Sequence, residues 1–195
     1  KVNSQTLDFE GGYIATQYHN MPPFTDNKGG FSFGVGYTKP IKNSVIYFKT
    51  GINYLQLNGK GTVNYTNMIN VVVMSYEKNQ ELYYLQIPLL IQFQAMNIKN
   101  LHLGLQGGIS YNYLLRAWHN PQPADVNHNV TSQFVSNVLG YQAGVYANFR
   151  IASNKQIQFS YLYSGNLTQV QKDIDGSAYT VNTFSLGLHY NLSKK

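Results

Sequence analysis

The stretch YLQIPLLIQF, residues 84–93, decides the fold class. Its odd positions are all large and apolar, as expected for a strand with one apolar face: Leu85, Ile87, Leu89, Ile91 and Phe93. Pro88 lies in the middle of this pattern, although proline cannot donate a backbone hydrogen bond to a neighbouring strand. The fold must therefore accommodate a proline inside a strand. A second question is whether the apolar face of this strand points into the protein or toward its outer surface.

The composition indicates one β-rich domain with little surface charge. The chain has 195 residues, with 17 Tyr, 10 Phe and 17 Gly. Charged residues make up 11% of it, against about 25% in ordinary soluble domains. This length fits a single domain, residues 1–195, with one core or one closed barrel. Cysteine is absent, which excludes disulfides, cysteine nucleophiles and cysteine metal ligands.

Alternation with a period of two predicts eight strands. They cover residues 6–18, 30–39, 44–57, 81–96, 100–115, 134–151, 156–167 and 178–192. Tight turns at 40–44, 96–100 and 152–156 alternate with four longer loops. Short turns at one end and long loops at the other are typical of bacterial outer-membrane barrels. We therefore predict an all-β fold, an eight-stranded antiparallel transmembrane up-and-down β-barrel.

A soluble barrel of the lipocalin kind has the same strand number but the opposite orientation of its two faces. Here the polar face consists of Gly, Ser, Thr, Asn and Gln with isolated charges, which is too hydrophilic for a dry core but suits a narrow lumen. The apolar face carries aliphatic residues in the middle and Tyr toward the ends, as a lipid-facing wall does. This composition favours the membrane barrel. Pro88 then faces the lumen, where a local bulge or a water would compensate for the missing donor.

Two segments carry a family resemblance. YLQIPLL, residues 84–90, resembles the Y-L-x-I-P-L signature of the small outer-membrane β-barrel family of the Bacteroidota, a porin-family group that includes the PorT-like secretion proteins. The last strand, FSLGLHYNL (184–192), is similar to the closing strand of that family. The resemblance implies a bacterial outer-membrane location and a role in protein export or outer-membrane assembly.

The charges are distributed unevenly between the two ends of the predicted barrel. An even strand number places both termini on the side of the short turns, which is the periplasmic side. That end carries Lys1, Lys39, Lys42, Lys99, Arg150, Lys155, Lys194 and Lys195, against Asp8 and Glu10. Anionic phospholipid headgroups are the expected partner of this charge, with an acidic periplasmic protein as the alternative. Nucleic acid is not expected as a partner, because no basic stripe is interleaved with exposed aromatic residues.

The lumen phase carries charges of its own. An eight-stranded barrel is just wide enough for side chains to fill. We therefore expect an internal ion-pair network in which Glu10 pairs with Lys49 or Arg150.

No catalytic, cofactor-binding or metal-binding residues are predicted. Asp125, His128, Ser132 and Ser136 are close in sequence, but in a loop such a cluster is most often solvated polar surface. His119 and His128 lack a third ligand at a recognisable spacing. The sequence predicts that the protein is not an enzyme.

Candidate partner-binding residues lie in two loops. The loop 59–81 contains an apolar run of Met68, Ile69, Val71, Val72, Val73 and Met74. This segment either extends the flanking strands into a tall hairpin or presents an exposed patch or strand edge to another protein. Trp118, in the loop 116–133, is predicted to anchor at the outer headgroups or to contact a partner.

The sequence thus predicts a non-enzymatic outer-membrane barrel that acts as a structural or accessory subunit of an envelope complex. Its expected partners are outer-membrane lipids and other outer-membrane or periplasmic proteins, bound through the loops or the outer wall. The alternative is a narrow passive channel for small solutes, and a lipid-modifying enzyme ranks third. No cofactor is expected.

Overall fold

A computed structural model describes residues 5–21, 23–41, 45–66, 72–121 and 128–192. The strands in these ranges are β1 (Thr6–His19), β2 (Phe24–Pro40), β3 (Ile46–Thr66), β4 (Val72–Ile98), β5 (Leu101–Pro121), β6 (His128–Asn129), β7 (Asn137–Ala152), β8 (Lys155–Asn166) and β9 (Ala178–Asn191). A short 3-10 helix, Thr131–Gln133, precedes β7. Within the described ranges, no helix is long and apolar enough to cross a membrane.

In the described chain, eight long strands form a closed antiparallel ring. Each pairs with its neighbours in chain order, and β9 pairs with β1 from Thr6 to His19, which closes the ring. β6 is a two-residue strand that pairs with Trp118 and His119 at one rim, so β5 is followed directly by β7 in the ring. The predicted eight-stranded antiparallel barrel is confirmed.

The two rims of the barrel differ. The tight connections at 98–101 and 152–155 lie at the rim that also holds the start of β1 and the end of β9, which we call the turn end. Lys99 adopts a left-handed φ of 48° there, as tight turns require. The other rim, the loop end, holds the connections after β1, β3, β5 and β8. The predicted turn at 40–44 includes residues 42–44, which lie outside the described ranges.

Side chains alternate between the lumen and the outer wall along every long strand. Outward aliphatic and aromatic side chains are about half exposed, such as Ile52 at 56%, Leu105 at 55% and Phe159 at 58%. The inward positions are often glycine because the lumen is crowded. At Gly104, a Cβ would lie 2.4 Å from the ring of Tyr146. The apolar face is therefore outside, which rules out the lipocalin arrangement.

Pro88 faces the lumen as predicted, and of the two predicted compensations, a bulge or a water, the bulge is not observed. β3 and β4 keep one register on both sides of the proline, and next to it their pairing is interrupted where Gly51 and Ile52 lie opposite Pro88 and Ile87. Pairing with β5 continues there through Ser110. Because proline lacks the donor, the pairing of β4 with β3 has a short gap. No extra residue is inserted to compensate.

The loop predicted at 59–81 is mostly strand. β3 continues to Thr66 and β4 begins at Val72, so these two strands form a hairpin much taller than their neighbours. β2 also begins earlier than predicted, at Phe24. Glycine and asparagine residues at 58–61 indicated a loop, but cross-strand pairing continues through them. The predicted extension of the flanking strands into a tall hairpin is therefore observed, and partner binding by this segment stays a prediction.

The lumen has two different halves. The half next to the turn end is polar, with buried glutamine, serine, threonine and charged side chains. The half next to the loop end is an apolar core. Its buried members are Ile14, Tyr18, Met21, Leu55, Leu57, Leu82, Tyr84, Leu114, Ala117, Phe134, Val138, Val170, Tyr179 and Val181. The expectation of a polar lumen is therefore wrong in this half, because large apolar residues occupy its inward positions.

Candidate functional sites

Glu10 and Lys49 form an ion pair inside the polar half of the lumen. Lys49 Nζ contacts Glu10 Oε1, and the two side chains are 6% and 19% exposed. β2 lies between their strands and carries Gly34 and Gly36 beside β1, so no side chain separates the pair. Lys49 also donates to Oε1 of Gln158 at 3.2 Å. The carboxylate and the ammonium are therefore largely shielded from water, and each still has a polar partner inside the lumen.

Asp8 is a second lumen carboxylate, and its side chain is fully buried. It accepts hydrogen bonds from the hydroxyls of Thr6 at 2.7 Å and Thr38 at 2.5 Å. His189 lies between the two carboxylates, with Nδ1 3.0 Å from Asp8 and Nε2 3.4 Å from Glu10. Sequence reasoning missed this arrangement because Asp8 and His189 are opposite each other only across the β1–β9 closure.

Among the described residues, Arg150 forms no ion pair with either carboxylate. It lines a cavity of about 50 Å³ at the turn end, together with His102, Tyr146 and His189. Among the described residues its Nε has no hydrogen-bond partner. Of the two cations predicted as partners of Glu10, the structure places Lys49 in contact with it and not Arg150.

The loop end is closed by apolar side chains from three connections. Met21, Phe134 and Val170 enter the apolar core from outside the long strands. The backbone N–H of Val135 donates to the carbonyl of Val170 at 2.8 Å, and that of Lys172 donates to the carbonyl of Gln133 at 3.0 Å. These bonds join the connection after β5 to the connection after β8, and so hold the closure in place.

The tops of β3 and β4 rise above the rest of the barrel. β2 pairs with β3 only as far as Gly61, and β5 pairs with β4 only as far as Lys78. Beyond these points, residues 62–66 and 72–77 pair with each other, and no third strand of the described chain pairs with them. We call this segment the projecting hairpin. Its β3 edge, residues 62–66, can accept a further strand.

The predicted partner-binding residues fall in different places. Val72 and Met74 lie on the projecting hairpin and are each 52% exposed. Val73 belongs to β4, but its side chain is not described. Met68, Ile69 and Val71 lie outside the described residues. Trp118 lies lower, on the wall formed by β5, with the guanidinium of Arg116 5.1 Å from its ring centre.

Of the residues considered for catalysis or metal binding, the structure describes His119, His128, Ser132 and Ser136. His119 and His128 face each other in the β5–β6 register. Among the described residues, no group of three His, Cys, Asp or Glu side chains is placed to hold a metal ion. Ser132 lies in the 3-10 helix, and Asp125 lies outside the described residues.

The turn end is basic at its described surface. Lys39, Lys99 and Lys155 are exposed there, whereas Asp8 and Glu10 point into the lumen. The two acidic residues therefore do not offset the surface charge at this rim. Lys1, Lys42, Lys194 and Lys195 lie outside the described residues.

Replacing Glu10 by Ala is expected to destabilise the barrel without preventing its insertion. The ammonium of Lys49 would remain buried without a carboxylate, and breaking such a pair costs about 3–5 kcal/mol. The unfolding temperature and the free energy of unfolding in lipid vesicles measure the loss, and the heat-modifiable migration of the folded barrel on gels reports insertion.

A double-mutant cycle provides the control. Glu10→Ala and Lys49→Met should be strongly non-additive, because the double variant leaves no unpaired ammonium. Glu10→Ala and Arg150→Gln should be additive within about 0.5 kcal/mol, as for residues without shared partners. An unchanged unfolding temperature for Glu10→Ala would show that the ion pair does not stabilise the barrel.

Comparison with known proteins agrees with this architecture. Residues 3–193 match the model of a family described as the outer membrane protein beta-barrel domain. Neisserial surface protein A, from Neisseria, is 11% identical with a TM-score of 0.59, covering 96% of this chain and 97% of that one. A major outer membrane protein from Thermus thermophilus is 13% identical with a TM-score of 0.52, covering 96% and 99%. These two likenesses concern the fold.

No curated protein sequence matches the chain. The family match nevertheless covers almost the whole chain, and its architecture is the one seen in the closed ring, with lipid-compatible side chains outside and polar and core residues inside. The chain belongs to the outer membrane protein β-barrel domain family and is a protein of the bacterial outer membrane.

Proposed function

We propose that this barrel is a non-enzymatic accessory subunit of an outer-membrane complex and binds a partner protein through its projecting hairpin. The observation that carries the proposal is the hairpin itself. Residues 62–66 and 72–77 extend beyond their neighbours, and no third strand of the described chain pairs with them. A second chain can add a strand to such an edge, with backbone hydrogen bonds supplying affinity.

Exposed apolar side chains on the hairpin support a protein partner. Val72 and Met74 are each 52% exposed above the lipid-facing wall, where lipid does not cover them. Near its base, Lys60 and Glu77 form an exposed ion pair at 2.7 Å. Because residues 62–66 and 72–77 are already paired with each other, binding a further strand has to order fewer residues than it would in an unpaired loop.

YLQIPLL (84–90) resembles the signature of the family of the Bacteroidota that includes the PorT-like proteins. This resemblance supports a specific cellular process for the complex. We propose that the complex serves protein export or outer-membrane assembly. In this arrangement the turn end, with both termini, faces the periplasm, and the projecting hairpin faces the exterior. The exposed lysines of the turn end then lie beside the anionic headgroups of the inner leaflet.

A narrow passive channel is the second candidate. The polar half of the lumen and its turn-end cavity of about 50 Å³ favour this alternative. The apolar core formed around Phe134 and Val170 opposes it, because these side chains fill the loop-end half of the lumen.

The orientation predicts which positions a reagent reaches from outside the cell. The chain contains no cysteine, so a single introduced cysteine is a clean label. Ser75→Cys, on the exposed part of the projecting hairpin, should react with a membrane-impermeant maleimide on intact cells. Ser153→Cys, in the tight turn between β7 and β8, should react only after permeabilisation, and the reverse pattern would invert the orientation.

The subunit role predicts a stable assembly that depends on the hairpin. Native mass analysis after extraction in mild detergent should show a stoichiometric complex, with partners identified by peptide mass. Val72→Thr combined with Met74→Thr should reduce its recovery by about tenfold, because two apolar contacts worth about 0.8 kcal/mol per methylene are lost.

Asn64→Thr, a polar and exposed position on the same hairpin, is the matched control and should leave the complex intact. A lone barrel of 22.1 kDa at normal abundance would contradict the subunit role.

Planar bilayers test the channel alternative. The intact protein should give no discrete single-channel currents, because Phe134 and Val170 close the loop end. Discrete, voltage-stable currents from the intact protein would instead support the channel and weigh against the subunit role.

A further inference from the structure

A β-bulge turns Arg116 from the lumen to the outer wall. On β5, Leu114 pairs with Tyr84 and Arg116 pairs with Tyr83, so Leu115 is an extra residue between them. Simple alternation after Leu114 would place Arg116 inside the apolar core. The bulge makes Leu115 and Arg116 both exposed, while Ala117 is fully buried. Bulges commonly re-aim a side chain in this way.

Arg116 enters an aromatic cavity on the outside of the barrel. The cavity measures about 410 Å³ and is lined by Tyr54, Tyr83, Leu115, Arg116 and Trp118. The guanidinium lies 5.1 Å from the centre of the Trp118 ring, and the rings of Tyr54 and Tyr83 are 6.1 Å apart. Ligand pockets in proteins have volumes of roughly 300–1,000 Å³. The cavity is large enough for a lipid headgroup.

The cavity lies at the upper border of the lipid-facing wall. Below it on the same strands are the exposed apolar side chains of Ile52, Ile87 and Ile109, at 56%, 39% and 52%. Above it, β4 and β5 carry polar residues such as Asn79 and Asn120, which lie opposite each other. Tyrosine and tryptophan prefer this boundary, where lipid headgroups meet the hydrocarbon. The height of the cavity is therefore that of the headgroups of one leaflet.

Arg116 is the cationic side chain that lines the site. Glu81 lies beside the site, opposite Trp118, and its carboxylate accepts a hydrogen bond from the hydroxyl of Tyr83 at 2.5 Å. Among the described residues, neither Glu81 nor another carboxylate forms an ion pair with Arg116. Arginine binds phosphate through two parallel hydrogen bonds, and the exposed guanidinium of Arg116 lies 5.1 Å from the centre of the Trp118 ring.

We propose that this cavity, which we call the Arg116 site, binds a phosphate group of a phosphorylated glycolipid of the outer leaflet, that is, of lipid A. The guanidinium of Arg116 holds the phosphate, the rings of Tyr54, Tyr83 and Trp118 cover the sugar, and Leu115 contacts the start of an acyl chain. The assignment to the outer leaflet rests on the proposed orientation, with the loop end outside. It does not depend on the partner of the projecting hairpin.

Retention of lipids by the purified barrel tests the site. Native mass spectrometry would compare three probes at equal concentration in detergent, namely diphosphorylated lipid A, dephosphorylated lipid A and phosphatidylglycerol. The intact protein should retain diphosphorylated lipid A at least about tenfold better than dephosphorylated lipid A, as expected for charge-assisted hydrogen bonds. It should also retain it better than phosphatidylglycerol, which has a phosphate but no sugar rings for the aromatic side chains to cover. Arg116→Gln should remove the preference for the phosphorylated over the dephosphorylated lipid A.

Two further variants separate phosphate recognition from general charge and from misfolding. Lys172→Gln removes an exposed loop-end cation away from the cavity and should behave like the intact protein. Arg116→Lys keeps the charge but loses the paired hydrogen bonds, so its preference should be intermediate. Heat-modifiable migration on gels checks that each variant is folded.

Equal retention by Arg116→Gln and the intact protein would overturn the proposal, and so would equal retention of phosphatidylglycerol and lipid A. Because the measurement is made in detergent, it is independent of orientation and of the hairpin partner. The cysteine labelling tests the orientation, and the native-mass analysis of the complex tests the partner of the hairpin.

Discussion

Hydrocarbon offers no hydrogen bonds, so the backbone N–H and C=O groups of a wall facing lipid must be paired within the chain. The closure of β9 on β1 meets this condition for the first and last strands, and it runs over the whole of β1. The condition also explains where Pro88 can be accommodated. The proline interrupts one ladder for two positions, while the pairing of the same strand with β5 continues.

A barrel closed with only eight strands has a narrow lumen. The narrow lumen limits which side chains fit at the inward positions. Glycines on β2 allow Lys49 to reach Glu10 across a strand, and a Cβ at Gly34 would lie 2.0 Å from Oδ1 of Asn53. Charges in such a space are tolerated only in pairs, because a lone buried ion costs several kcal/mol. The lumen therefore combines a compensated polar network in one half with a dry core in the other. The core stabilises the loop end and at the same time opposes free diffusion through the barrel.

The barrel could be predicted from the sequence because alternation, tight turns and the composition of the two faces are local features. The contact between Glu10 and Lys49 was also anticipated, since few charges occupy the lumen phase. Features that depend on the relative register of strands could not be predicted. Asp8 meets His189 only through the closing pair of strands, and the gap at Pro88 replaces the expected bulge. The apolar core was missed because small or polar residues share the inward face with its members, such as Gly12 and Thr16 beside Ile14 and Gln80 beside Leu82.

The bulge at Leu115 shows why local pattern is insufficient at the loop end. One inserted residue exchanges the inside and outside positions of everything beyond it on β5, so Ala117 and His119 become buried while Arg116 and Trp118 form the outer surface. An arginine in the apolar core would have no anionic partner, whereas at the rim it meets headgroups. The same inserted residue thus relieves the core of a charge and places that charge among aromatic rings at the membrane border. Just above, where β5 stops pairing with β4, the projecting hairpin begins. The loop end therefore has a lower belt suited to lipid and an upper ribbon, the projecting hairpin, suited to protein. The change from one to the other occurs where β2 stops pairing with β3 and β5 stops pairing with β4.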